Sequence, residues 1–158
     1  MEAQIRMAQT TDIENLIRLR FAYFQEENWE VTAEQRALLE NNLRQYFTTN
    51  IGTDFFAAFV EMNGQIVATA FLAIAAMPAN LSFLTGKTGT ILNVFTLPEQ
   101  RRKGYATQAL QLLIAQAQRE DLSYIELSAS AMGKPLYEKL GFREKGQSHF
   151  TDMRLVLV

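Results

Sequence analysis

The chain has 158 residues, 48% hydrophobic and 20% charged, with a formal net charge of −2; these values are typical of a single globular domain over residues 1–158. The slightly acidic balance argues against a nucleic-acid partner, for which a basic domain is typical. With no cysteine and one histidine, we expect no disulfide, no cysteine nucleophile and no metal site. The N-terminus has no apolar signal core and no run approaches the roughly 20 apolar residues of a membrane span, so we expect a cytoplasmic protein with no membrane partner.

The first third of the chain is patterned as a short strand and two helices. Gln4 to Met7 fits a strand, and helical spacing then predicts a helix over residues 12–27, opened by a capping box from Thr11 to Glu14. A second capping box, Thr32 to Gln35, opens the next helix. Its spacing predicts a buried stripe of four residues, Leu39, Leu43, Tyr46 and Phe47.

The middle of the chain predicts a hairpin followed by a central strand. Phe55–Glu61 and Gln65–Ile74 are β-patterned runs separated by Asn63-Gly64, a strong hairpin signal. Both runs are apolar on both faces, so we expect a sheet that is covered on both sides. Residues 76–89 are expected to form a loop or ragged strand end, and residues 90–97 the central strand.

The last third predicts two helices and three strands. A clean apolar face over residues 106–118 indicates a helix, and residues 124–130 alternate as a strand. A short helix then begins near Pro135 and ends before Gly141, which fits a left-handed cap with Phe142 packing back toward Tyr137. Residues 142–144 and 148–158 are expected to close the sheet as a hairpin.

The predicted order is therefore β-αα-βββ-α-β-α-ββ. A strand–helix–strand unit around residue 100 requires parallel pairing there, within an otherwise antiparallel sheet. We expect an α+β fold in which a mixed, mostly antiparallel central sheet is flanked by about four helices.

Three consecutive cations, Arg101, Arg102 and Lys103, lie where the helix after the central strand begins. The helix dipole disfavours positive charge there, free N–H groups point the same way, and Gly104 has no side chain to block approach. The stretch therefore predicts a site for a polyanion such as a pyrophosphate, with a solvated basic turn as the alternative. It is neither a Walker A loop nor a dinucleotide fingerprint.

Two motifs carry a resemblance to a known family. Arg101-Arg102-Lys103-Gly104-Tyr105-Ala106 resembles the Arg/Gln-x-x-Gly-x-Gly/Ala signature of the GNAT acyl-CoA N-acyltransferases, and residues 135–142, Pro-Leu-Tyr-Glu-Lys-Leu-Gly-Phe, resemble that superfamily's Leu-Tyr-x-Lys-x-Gly-Phe motif. The second motif stands one helix and one strand after the first, as the family expects. The resemblance is clear over residues 88–145, and the order of elements matches the GNAT fold over the rest.

The resemblance implies acetyl-CoA, or a close acyl-CoA, as cosubstrate. The pyrophosphate would rest on the amides of residues 102–107, and the pantetheine arm would pair with the central strand where that strand parts from its neighbour. A backbone N–H near Phe95 would face the thioester oxygen. Ser130 stands where family members often carry an asparagine that contacts the CoA arm. The implied CoA-binding residues are Phe95, Thr96, Leu97, Arg101, Arg102, Lys103, Gly104, Tyr105, Ala106, Thr107 and Ser130.

The resemblance also implies that an amine attacks the thioester and that Tyr137 protonates the departing thiolate, as a phenol of pKa about 10 can. The alternative for Tyr137 is a core aromatic beside Phe142. The general base stays open, because Asn93 stands where many members carry a glutamate. The other candidates are a water held by Asn93, the acidic residues near the end of the first helix and His149, the acidic residues being Glu26, Glu27 and Glu30.

Several alternatives remain open from the sequence. If those acidic residues line the site, a cationic acceptor such as a polyamine becomes plausible; a solvated acidic turn is the other interpretation. Trp29 could stack on a substrate, but packing under the second helix is the preferred interpretation, and Glu126 could simply face solvent. The apolar end, residues 155–158, suits either an edge contact in a homodimer or a core strand.

The predicted function is N-acetyl transfer from acetyl-CoA to an amine of a small molecule or peptide, in a ternary complex. A non-catalytic acyl-CoA sensor of the same fold is the alternative from another class. A nucleotide or phosphate-ligand domain unrelated to CoA would require the motif around Tyr137 to be a coincidence.

Overall fold

A mixed sheet of five strands and four helices forms in the order β-αα-βββ-α-β-α, in a computed structural model that describes residues 2–158. The chain divides into two compact units, residues 2–128 and Ala129–Val158. The elements of the first unit are β1 Gln4–Met7, α1 Ile13–Glu26, α2 Ala33–Asn50, β2 Phe55–Met62, β3 Gln65–Ala76, β4 Lys87–Thr96, α3 Tyr105–Arg119 and β5 Ile125–Glu126. The second unit contains α4 Lys134–Lys139.

The strands lie in chain order across the sheet, β1-β2-β3-β4-β5. The first three pairings are antiparallel and the β4–β5 pairing is parallel, which confirms the predicted mixed α+β sheet. Asn63 and Gly64 both have positive φ, 53° and 77°, as the tight turn of the β2–β3 hairpin requires. The hairpin predicted from these two residues is therefore confirmed.

Both faces of the β2–β3 hairpin are buried, as its two-sided apolar pattern predicts. A cluster of phenylalanines, which includes the fully buried Phe59 and Phe71, packs with residues of α1 and α2. The helix α3 packs against β2, β3 and β4 through its own apolar face. The buried residues of α3 are Ala109, Leu110, Leu113 and Ala117.

The start of α1 differs from the prediction. The chain enters it through a 3₁₀ turn, Thr10–Asp12, so the capping box from Thr11 to Glu14 is wrong. Asp12, not Thr11, is the residue directly before α1. Its buried carboxylate accepts the Gln9 N–H at 2.8 Å and two hydrogen bonds from Arg6. A carboxylate held by three donors fixes the chain direction before the helix begins.

The second helix begins as predicted but is less buried than predicted. Thr32 accepts the Gln35 N–H at 3.1 Å and the Gln35 side chain accepts the Thr32 N–H at 3.0 Å, which confirms the capping box. Only Phe47 of the predicted stripe is fully buried; Leu39 and Leu43 are half-buried, and Tyr46 is 38% exposed. The helix covers the margin of the core cluster, so its apolar stripe is only partly enclosed.

The central strand begins earlier than predicted. β3 continues to Ala76 and β4 begins at Lys87, so the irregular segment is shorter than residues 76–89. Gly89 lies within β4, at a position where only glycine fits. An added Cβ would come within 2.7 Å of the Leu72 side chain and within 2.8 Å of the Leu122 side chain. The glycine that signals a loop in the sequence is a close-packing position in the sheet.

The sheet does not close as predicted. β5 has two residues rather than the seven of residues 124–130, and no strand forms in residues 142–144 or 148–158. Leu155 and Leu157 are 83% and 84% exposed, so the interpretation of the apolar end as a core strand is wrong. A β-patterned segment becomes a strand only where a neighbouring strand completes its hydrogen bonds, and these residues have no such neighbour within residues 2–158.

Candidate functional site

A bulge interrupts β4 where it would continue past β5. Phe71 of β3 pairs with Leu92 and Thr69 pairs with Phe95, so β4 inserts one extra residue over this interval. Asn93 lies in the bulge with a φ of 55°, a left-handed conformation that asparagine tolerates. The parallel partner β5 pairs only with Gly89 and Thr90, before the bulge. The second half of β4 therefore has an open side, which explains the short β5.

The backbone beyond the bulge divides between the two sides of β4. The Leu97 N–H donates to the Val67 carbonyl of β3 at 2.9 Å, so it is already occupied. In an antiparallel ladder, the backbone N–H and C=O groups of alternate residues point to opposite sides of the strand. The backbone groups of Phe95 therefore also point to β3, while those of Val94 and Thr96 point to the open side. Of the three residues predicted to pair with a pantetheine arm, Thr96 is the one on the open side. Val94 was not predicted, because a bulge shifts the alternation without a signal in the sequence.

The cation turn, residues 101–104, lies shortly after β4. A 3₁₀ turn, Pro98–Gln100, leads into it, Arg102 and Gly104 have φ values of 65° and 80°, and α3 begins at Tyr105. No N–H from residues 102–107 donates to a backbone carbonyl of the described chain. The turn therefore presents consecutive free amides at the positive end of a 15-residue helix.

The three exposed cations of the turn differ in their partners. Arg101 donates to the Thr96 carbonyl at 3.1 Å and to a Glu26 carboxylate oxygen at 2.8 Å. Lys103 donates to the Gln100 side-chain oxygen at 2.9 Å. Arg102 forms no ion pair with any residue from 2 to 158. At least Arg102 is thus available to an anion without breaking an existing ion pair.

The other predicted residues of the turn serve the start of α3. Ala106 and Thr107 are half-buried, and the Tyr105 hydroxyl donates to the Met62 sulfur at 2.9 Å. This side-chain bond anchors the first turn of the helix to β2. The side chain of Tyr105 is therefore committed to the scaffold, and its N–H remains free.

The acidic residues at the end of α1 and just after it have different surroundings. Glu26 is held by Arg101, and Glu27 and Glu30 are exposed. Trp29 is 59% exposed and stacks on Phe24 at 5.3 Å, so packing under the second helix is wrong for it. Trp29 and Glu30 instead line an open groove of about 560 Å³ beside α1, together with Arg18, Phe21, Ala22, Phe24, Gln25, Asn28, Val31 and Arg36.

A buried amide and a half-buried cation meet at the bulge. Asn93 is 2% exposed, and its Nδ2 donates to the Leu19 carbonyl of α1 at 3.4 Å. Its Oδ1 accepts from the Arg20 guanidinium, also at 3.4 Å. Burial lowers the pKa of Arg20 from its ordinary value, and the Tyr23 hydroxyl acts in the opposite direction. The sequence analysis did not single out Arg20, because one arginine in a helix has no local signal.

The second unit contains the residues of the second motif. Pro135 lies in the first turn of α4, Gly141 has a φ of 103°, and the Phe142 ring meets the Tyr137 ring edge-on at 6.0 Å. The predicted cap and the return of Phe142 toward Tyr137 are confirmed. Ser130 is exposed and its hydroxyl accepts the Gly133 N–H at 3.1 Å, which leaves the hydroxyl hydrogen free to donate.

Two further features bear on cofactors and location. Among residues 2–158, no three His, Asp or Glu side chains come close enough to hold a metal ion. His149 is exposed and lies against the Phe150 ring, with centroids 4.0 Å apart. None of the helices in that range combines the length and apolar character needed to cross a bilayer.

Comparison with known proteins identifies the architecture. The family model described as Acetyltransferase (GNAT) family matches residues 13–142, and no curated protein matches the chain significantly. A predicted acetyltransferase from Clostridium acetobutylicum, solved with acetyl-CoA, has a TM-score of 0.83 and 28% identity, over 97% of this chain and 96% of that one.

Two more distant structures share the fold. A GCN5-related N-acetyltransferase from Ralstonia eutropha has a TM-score of 0.77 and 23% identity, over 96% of this chain and 99% of its own. Glucosamine-6-phosphate N-acetyltransferase from Arabidopsis thaliana has a TM-score of 0.66 and 22% identity, over 98% and 100%.

Proposed function

Because the chain belongs to the GNAT family of acetyltransferases, we propose that it transfers an acetyl group from acetyl-CoA to an amine of a small molecule or peptide, by direct attack in a ternary complex. One observation carries this proposal: the open side of β4 leads, through the 3₁₀ turn Pro98–Gln100, into a cation turn whose amides from Arg102 onward donate to no backbone carbonyl of the described chain. A single strand–turn–helix segment thus offers an extended backbone edge for the pantetheine arm and an anion site for the pyrophosphate.

The cation turn fits a pyrophosphate in both geometry and charge. Two phosphate groups need several converging N–H donors, and residues 102–107 present six amides at the start of α3. Arg102 adds an unpaired charge, and Arg101 and Lys103 add two more when they leave their present partners. Gly104, at the N-cap, keeps the approach to these amides open.

The chemistry requires one new bond, one broken bond and two proton movements. The neutral amine nitrogen attacks the thioester carbon, the carbon–sulfur bond then breaks, and the amine loses a proton to a base while the CoA thiolate gains one. We assign the Tyr137 hydroxyl as the group that gives a proton to the CoA thiolate, because of its motif and its place in α4. A donor on the open side of β4, such as the Val94 N–H, would stabilise the oxyanion.

Of the residues considered for the base, Glu26 and Asn93 already have partners. Glu26 is paired with Arg101, and Asn93 is an amide that donates to one carbonyl and accepts from Arg20. A water held near the bulge, which relays the proton to solvent, is the proposal that fits these contacts. Asn93 stands where many family members carry a glutamate. This is the one observation that favours the second candidate function, a non-catalytic acyl-CoA sensor.

A thermal-shift titration with acetyl-CoA, CoA and ATP tests the proposal. A ligand at about 100 times its dissociation constant stabilises the folded state by about 2.7 kcal/mol, which is visible in a domain of this size. We expect stabilisation by acetyl-CoA and CoA and none by ATP. Equal stabilisation by ATP, or none by acetyl-CoA at millimolar concentration, contradicts the CoA site.

A second assay separates the enzyme from the sensor. Free CoA is measured over time with acetyl-CoA and a panel of amines, and the acetylated product is identified by mass. Release of CoA that depends on an amine supports transfer. Binding of acetyl-CoA without release, across the whole panel, supports the sensor.

We also propose that two copies associate through the apolar C-terminal residues. Leu155 and Leu157 are more than 80% exposed, and they lie in a run of four consecutive apolar residues, 155–158. Light scattering behind size exclusion tests this, with a chain that ends at Arg154 as the comparison. A monomeric mass for the full chain would contradict it.

A further inference from the structure

Arg20 is a half-buried cation without a counter-charge. Its guanidinium donates to the Asn93 side-chain oxygen at 3.4 Å, and its Cζ lies 4.9 Å from the centre of the Phe24 ring. No carboxylate among residues 2–158 forms an ion pair with it. Its contacts are thus one long hydrogen bond to a neutral group and one aromatic face.

Several other arginines of the chain have a carboxylate partner. Four of them have a guanidinium nitrogen within 3.1 Å of a carboxylate oxygen: Arg6, Arg36, Arg44 and Arg101. Three of these four lie at more exposed positions than Arg20, where water already solvates the charge. Arg20 is therefore the position where a counter-charge is most needed and where the chain supplies none.

The position of Arg20 links it to the proposed reaction. Its hydrogen-bond partner, Asn93, is the bulge residue of β4, and α1 packs against that strand. Leu92, next to the bulge, keeps 38% of its surface exposed although it lies in the middle of the strand. The guanidinium therefore lies beside the segment of β4 that opens to a ligand.

We propose that Arg20 binds an anionic group, a carboxylate or a phosphate, on the amine acceptor. The inference rests on the proposed function and names the acceptor class: amines that carry a negative oxyacid group. A planar guanidinium can meet two oxygens of such a group at once, and the half-buried position of Arg20 makes that contact stronger than it would be in bulk water. The acidic cluster that would favour a polyamine does not oppose this, because Glu26 is neutralised by Arg101 and its neighbours are exposed.

Matched pairs of amines test the proposal. Tyrosine against tyramine and arginine against agmatine differ by a carboxylate, and phosphoethanolamine against ethanolamine differs by a phosphate. CoA release is measured with wild type, Arg20→Met, Arg20→Lys and the control Arg119→Gln. Arg119 is the last residue of α3, is exposed, and forms no ion pair among residues 2–158. Acetyl-CoA binding by thermal shift is recorded for every variant.

We expect wild type to prefer the anionic member of at least one pair, and the responding pair separates carboxylate from phosphate. For that substrate, Arg20→Met raises KM by about 10–100-fold, the size of one hydrogen-bonded charge contact, while kcat stays within about threefold. Arg20→Lys recovers part of the loss, because it restores the charge but not the planar fork. Arg119→Gln has no effect.

The outcomes distinguish this inference from the function on which it rests. If wild type does not bind acetyl-CoA, the proposed function fails and the inference falls with it. If acetyl-CoA binds but no amine reacts, the proposed transfer fails and the inference falls with it. If an amine reacts, two results overturn the inference alone: both members of every pair react equally, or Arg20→Met affects the neutral and anionic members alike.

Discussion

Arg6 and Arg20 are both half-buried arginines against an aromatic ring, and they differ in what faces their charge. Arg6 binds Asp12 at 2.7 Å and Glu61 at 2.8 Å, with its Cζ 5.3 Å from the Phe59 ring. The hydrogen bond to Asp12, more than any other cause, raises the pKa of Arg6. Arg20 has an amide in place of two carboxylates, and burial lowers its pKa.

The difference separates a cation that belongs to the scaffold from one that can serve a ligand. A guanidinium saturated by two carboxylates has no capacity left for an outside anion, and its removal leaves two acids without a partner. A guanidinium with an unfilled counter-charge position keeps that capacity, and it lowers the stability of the empty protein. Stability and ligand binding should therefore respond in opposite ways at the two positions.

The largest expected effect is on stability. Arg6→Met should lower the free energy of unfolding by about 3 kcal/mol, because it leaves the buried Asp12 and the half-buried Glu61 unpaired. Arg20→Met should change it by less than about 1 kcal/mol, or raise it, since an apolar side chain replaces an unpaired buried charge. Urea unfolding of both variants measures these free energies. An equal loss of stability in the two variants would contradict the proposed difference between Arg6 and Arg20.

The next effect separates binding from proton transfer. Tyr137→Phe should lower kcat by about 10–100-fold, the lower range for a general acid, with little change in folding. Arg20→Met should instead act on the acceptor's KM. Tyr46→Phe is the control, because it also removes one tyrosine hydroxyl from a partly exposed position. Unchanged turnover in Tyr137→Phe would remove the assignment of the acid.

A pair of glycines tests the cation turn. Gly104 and Gly64 have φ values of 80° and 77°, and an added Cβ meets nothing within 4 Å at either position. Alanine at either should lower the free energy of unfolding by about 1 kcal/mol through the same left-handed strain. Only Gly104→Ala should also weaken acetyl-CoA binding, by about tenfold or 1.4 kcal/mol.

Calorimetric titration with acetyl-CoA makes that measurement. If the two glycine variants bind acetyl-CoA equally well, the amides of the turn are not the pyrophosphate site. A loss in both would mean that left-handed strain in either turn is enough to weaken binding.

The smallest effect is a pH signature of the Arg6 cluster. Hydrogen bonds from Arg6 hold the pKa of Asp12 below its ordinary value, and burial opposes this. The unfolded state therefore binds the proton more tightly than the folded state, and Asp12 contributes stability above its unfolded pKa that is lost as the pH falls through the folded value. Below about pH 4, the ordinary Asp value, the stability gap between wild type and Arg6→Met should narrow. Urea midpoints at about pH 3 and about pH 6 check this, and a constant gap contradicts it.

The sequence by itself determined the parts of this protein that depend on local patterns. The Asn63-Gly64 hairpin, the Thr32 capping box and the Gly141 cap each use a residue whose own conformation or side chain fixes the turn. The cation turn was readable because exposed charges cluster along the chain.

Tertiary structure decided the features that depend on distant partners. The bulge at Asn93 exists because β4 must match β3, and the short β5 follows from it. Asp12 displaced the predicted cap because Arg6, on a different element, binds it. The difference between Arg6 and Arg20 has the same origin: the two are alike in sequence, and only the folded chain brings carboxylates to one and leaves the other without any.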